Sequence, residues 1–131
     1  MDTLTEIYNK IKEILKAHSE RFLVKDHYIG SKAKSDKPTY HLYGKKEVSL
    51  FGKEPKNVYI AGVIKQKTYV SFYFNPIYSH PEAFQDINPK LKNYLKGKSC
   101  FNISTSDDEV FEEIENLLIK GIEKYKELRW I

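Results

Sequence analysis

The sequence predicts an α+β fold: a mostly antiparallel sheet with an N-terminal helix and a long C-terminal helix packed on one face. Three observations predict it. Apolar residues recur at spacings of three and four near both ends of the chain. Between about residues 39 and 74 the apolar period changes to two. No linker-like stretch divides the 131 residues, so 1–131 reads as a single domain.

The first helix is expected over residues 4–18, with Leu4, Ile7, Ile11, Ile14, Leu15 and His18 on one stripe. Thr3 and Glu6 fit a capping box at its start. Phe22 to Ile29 reads as a strand or extended segment, and Gly30 to Pro38 as an exposed loop. Thr39–Tyr43 and Glu47–Phe51 are two short strands broken by Gly44, Lys45 and Lys46. Gly52 to Asn57, with Pro55 inside, is a second break. Val58–Lys65 and Tyr69–Phe74 then form a hairpin joined by Gln66, Lys67 and Thr68. Pro76 ends the second of these strands, because proline has no N–H to give to a ladder.

Pro81 and Pro89 each suit the first position of a short helical turn. Gly97 suits a helix stop, and Ser99–Ser104 a last strand. The final helix runs from Asp107 or Asp108 to about Leu128, on a stripe from Val110 through Ile114, Leu118 and Ile122. Ser106 with Glu109 fits its capping box, and the acids of its first turns complement the helix dipole.

Strict alternation divides the hairpin between two faces. Val58, Ile60, Ile64, Val70, Phe72 and Phe74 are expected to face the helices. Tyr59, Ala61, Val63, Lys65, Tyr69, Ser71, Tyr73 and Asn75 then fall on the opposite face. Lys98, Cys100 and Asn102 join them from the last strand. Tyrosines give large contact area and a hydroxyl at low entropy cost. The candidate ligand-binding residues are therefore Tyr59, Ser71, Tyr73, Asn75, Lys98, Cys100 and Asn102. Ordinary cross-strand packing and a homodimer interface explain the same aromatic face as alternatives.

Composition excludes several classes. Lys10, Lys12 and Glu13 interrupt any signal-like apolar core, and no run is long enough to span a membrane. One cysteine, Cys100, forms no internal disulfide, and the expected location is cytoplasmic. The net charge of +4 is uneven: residues 25–67 carry ten lysines against four acids, while residues 104–131 carry eight acids against four bases. That small, divided excess, with no RNP1 pattern, disfavours nucleic acid. The four histidines lie at no metal-ligand spacing. Gly97-Lys98-Ser99 lacks the first glycine of a phosphate loop, since position 92 is Lys92. No nucleophile–base or acid–base pair is recognisable, so the reading leans away from an enzyme.

Tyr69-Val70-Ser71, Asn75-Pro76-Ile77-Tyr78, Asn88-Pro89-Lys90-Leu91-Lys92 and Gly97-Lys98-Ser99-Cys100-Phe101-Asn102 carry a family resemblance. With the final helix ending in Tyr125-Lys126, they resemble the bacterial YdhG-like domain family, a domain of unknown function, over about residues 57–128. The resemblance implies a single α+β YdhG-like domain. One branch of that family is linked to frataxin-like iron chaperones, which implies iron as a cofactor or cargo. No shared iron motif can be matched here, and the acidic first turn, with Asp107, Asp108 and Glu112, is the place to test. The expected function is non-enzymatic binding of a small ligand or protein partner through the tyrosine-rich face. An intracellular iron-binding chaperone is the alternative.

Overall fold

A computed structural model describes residues 2–25 and 37–131. The expected extension to Ile29, His27 and most of the loop before Pro38 lie outside the described residues. The chain runs α1 (Thr3–Ala17), β1 (Phe22–Lys25), β2 (Thr39–Val48), β3 (Lys56–Lys65) and β4 (Val70–Phe74). It continues through α2 (Asn75–Ser79), α3 (Pro89–Lys92), β5 (Leu95–Lys96), β6 (Cys100–Ile103) and α4 (Asp108–Glu127). The strands make one antiparallel sheet in the order β1-β2-β3-β4-β6-β5.

The helical stripes do the expected packing. Ile7, Ile11 and Leu15 of α1 are fully buried, as are Ile114, Leu118 and Tyr125 of α4 or nearly so. Each aliphatic side chain buried this way contributes about 1.5–3 kcal/mol. They cover the sheet face that carries Leu42, Phe72, Phe74, Phe101 and Ile103. Gly121 lets α4 approach closely, since a Cβ there would lie 2.7 Å from Phe74 Cζ and 2.8 Å from Pro76 Cγ. His18 at the end of α1 meets Glu115 of α4 at 2.8 Å.

Four local expectations change. The N-cap of α1 is Asp2, whose carboxylate accepts from Thr5 N at 2.8 Å, not Thr3. The N-cap of α4 is Asp107, accepting from Glu109 N at 2.9 Å, not Ser106. Both helices start with the residue that can turn an oxygen onto the orphan N–H groups, and an adjacent aspartate does this directly. Gly44-Lys45-Lys46 does not break a strand: β2 runs through it, the extra residues being absorbed as a register shift between Tyr43 and Glu47. A second shift matters more. Leu42 pairs with Ala61 but Tyr43 pairs with Tyr59, so Ile60 is a bulge.

The bulge reverses the alternation downstream. Ile60 and Ala61 are both fully buried, and Ala61 and Val63 share the helix-side face with Phe74 and Phe72. Gly62 and Ile64 instead lie opposite Tyr73 and Ser71 on the other face. Ala61, Val63 and Lys65 are thus not on the tyrosine face, and Ile64 is. One unpaired residue flips every following side chain.

Candidate functional site

The face away from the helices is built by register. Pairing sets Thr39 opposite Ile64, His41 opposite Gly62 and Tyr43 opposite Tyr59. It then sets Gly62 opposite Tyr73, with Tyr73 opposite Cys100 and Ser71 opposite Asn102. Four strands therefore contribute to one polar and aromatic surface.

His41 is nearly buried within it, at 2% exposure. Its Nδ1 lies 2.9 Å from the Tyr59 hydroxyl, and its Nε2 is hydrogen-bonded to Thr39 Oγ1. Both ring nitrogens are thereby engaged, which fixes the ring plane. Tyr43 packs edge-on against Tyr59 with centroids 5.1 Å apart. The His41–Tyr59 contact passes directly over Gly62, where any side chain would collide with both.

A cavity of about 430 Å³ opens here, lined among the described residues by His41, Tyr59, Ile64, Tyr73, Asn75 and Ser99. Asn75, at the start of α2, is part of that lining. Its amide donates to the Tyr59 carbonyl at 3.1 Å and to the Tyr125 hydroxyl at 3.0 Å. Tyr125 also lies 2.8 Å from Ser79 Oγ, and burial pushes its phenol up to about 12. Asn75 thus ties the cavity to α4.

Of the seven residues expected to bind ligand, Tyr59, Tyr73 and Asn75 line this cavity. Ser71, Cys100 and Asn102 lie beside it in the same face and satisfy each other. The Ser71 hydroxyl donates to Asn102 Oδ1 at 3.0 Å, and the Cys100 thiol donates to the same oxygen at 3.3 Å. Burial pushes the Cys100 thiol up and the Tyr73 phenol up, so both stay protonated at neutral pH. Lys98 sits apart, exposed in the β5–β6 turn, with Nζ 5.4 Å over the Tyr78 ring.

The acids of α4 are used locally. Asp107 caps the helix, Lys90 approaches Asp107 at 3.7 Å and Glu109 at 3.6 Å, and Glu113 accepts from Asn88 N at 2.6 Å. Asp108 and Glu112 are exposed. Among the described residues, no three His, Cys, Asp or Glu side chains gather as a metal-binding group. No helix among them is long and apolar enough to cross a membrane.

Sequence reasoning missed Thr39, His41, Gly62 and Ile64. Thr39, His41 and Tyr43 alternate in one short strand, so period two already offered them as one face. Gly62 and Ile64 needed the bulge. No protein-family model, curated protein or solved structure gives a significant match to this chain.

Proposed function

We propose that this protein binds a small, largely uncharged ligand in the cavity on the tyrosine-rich sheet face, without catalysing a reaction on it. One observation carries the reading: a nearly buried histidine, held at both nitrogens, lines a cavity of about 430 Å³ beside two tyrosines and an asparagine. That volume falls within the roughly 300–1,000 Å³ of small-molecule sites, and a few fixed polar groups among apolar walls are their usual lining. A concavity of this kind favours a small molecule over a flat protein partner. The lining offers hydroxyl, amide and imidazole groups and, among the described residues, no Lys, Arg, Asp or Glu. Membership of the YdhG-like family is part of the proposal and rests on residues 97–102 and their neighbours.

The test is a ligand-observed NMR screen of small neutral compounds, repeated with Tyr73→Ala. Tyr73 is half-buried and holds no core position, so the variant should keep its melting temperature. Hits that vanish in Tyr73→Ala support the reading. Hits that bind the variant unchanged, or none at all, sink it. Loss of dimers in sedimentation, with no ligand found, would replace it with self-association over the same face.

A further inference from the structure

A second cleft, of about 440 Å³, lies on the other side of Tyr59 and Asn75. It is lined by Phe51, Lys53, Lys56, Tyr78 and Trp130, with Tyr59 as the shared wall. Two of its aromatic groups are held at a conformational cost. Among the described residues only two non-glycine residues have positive φ: Phe51 at 54° and Arg129 at 61°. Both set an aromatic ring of this cleft.

Phe51 and Gly52, with φ of 54° and 74°, are the central residues of a turn closed by Lys53 N donating to Leu50 O at 3.0 Å. Two successive positive φ values mark a type I′ turn, whose first central position favours Asn, Asp or Gly. A phenylalanine there is strained, and this one is 87% exposed. Neither folding nor burial explains its presence. Strain of this kind concentrates at binding sites.

Arg129 plays the matching part at the end of α4. Trp130 N donates to Tyr125 O at 2.9 Å and Arg129 N to Lys126 O at 3.0 Å, a Schellman closure with a non-glycine residue in the left-handed position. The reversal brings the chain's one tryptophan against Tyr125 and His80, with ring centroids 5.0 and 5.2 Å away. Tyr78, 54% exposed, supplies a third ring. Lys53 and Lys56 enter the same cleft, and neither is ion-paired with a carboxylate among the described residues.

From these placements we infer that the cleft binds a free mononucleotide: the base stacks among Phe51, Tyr78 and Trp130, and the phosphate meets Lys53 and Lys56. Aromatic rings hold any base by its π-face, and lysine ammonium groups hold phosphate as point charges. This site shares Tyr59 and Asn75 with the sheet-face cavity, but its stacking rings and lysines lie outside that cavity's lining, and it goes beyond the ligand proposed there.

The experiment titrates the full chain with AMP, adenosine and inorganic phosphate, following the Trp130 indole resonance by NMR. AMP is expected to give a saturable shift, with adenosine and phosphate each at least about tenfold weaker, the size of one lost base stack or charge pair. Lys53→Gln/Lys56→Gln should weaken AMP by a similar factor. Phe51→Asn should weaken AMP too, while its melting temperature stays equal or rises, because Asn suits the turn. A melting temperature that is equal or higher separates lost binding from lost folding. No saturable shift with AMP overturns the inference. So does phosphate or adenosine binding as tightly as AMP, or either variant binding AMP as the wild type does.

Discussion

His41 Nδ1 and the Tyr59 hydroxyl meet at 2.9 Å across strands β2 and β3, over a glycine that leaves them room. The contact depends on three independent features: the pairing of His41 with Gly62, the bulge at Ile60, and the missing side chain at Gly62. Gly62→Ala is expected to displace the imidazole and cost about 1–3 kcal/mol through overpacking. Chemical denaturation and the His41 ring resonances would check this. Wild-type stability with unmoved resonances would contradict the geometry.

Tyr125 links stability to alkaline pH. Its folded value is raised to about 12 from an ordinary 10, because burial disfavours the phenolate. A raised folded value means the stabilisation is complete below about pH 10 and fades as pH climbs towards 12. Tyr125→Phe should flatten that alkaline limb. It should also cost about 1–3 kcal/mol at neutral pH, by leaving the Asn75 amide without one partner. An unchanged alkaline slope in the variant would show that other groups carry it.

The Cys100 thiol is held above its ordinary value by burial. Iodoacetamide at pH 7 is therefore expected to modify it more slowly than free cysteine, with the rate rising at higher pH and in urea. Faster reaction than free cysteine would reopen a nucleophilic role for this residue.

At Gly121, α4 lies close against Phe74 of β4 and Pro76 of α2. Gly121→Val should cost about 1–3 kcal/mol or more, since both neighbours are buried rings that cannot swing away. A thermal melt matching the wild type would mean that the helix can lift without loss.

Legibility in the sequence followed the range of the physics. Ile7, Ile11 and Leu15, or Val110, Ile114 and Leu118, declare their helices because helical spacing is a local property. Pro76, Pro81 and Pro89 declare element ends for the same reason. Tyr59, Ser71, Tyr73, Cys100 and Asn102 fall on the expected face because each lies before the bulge or in an unbulged strand. Ala61, Val63 and Ile64 lie on the faces opposite to those that strict alternation predicts, because a bulge leaves no mark on hydrophobic alternation when every residue around it is apolar.

By itself the sequence determined the α+β class, the two terminal helices and the tyrosine-rich strip, all of which follow from periodicity along the chain. Tertiary structure alone decided that His41 stands against Tyr59, that Lys98 stays away, and that Phe51 and Trp130 share a cleft. Those relationships join residues from 18 to 79 positions apart, and register shifts, turn handedness and helix closure set them. None of these is written in the identity of any one residue, because each is fixed by the strands and helices packed around it.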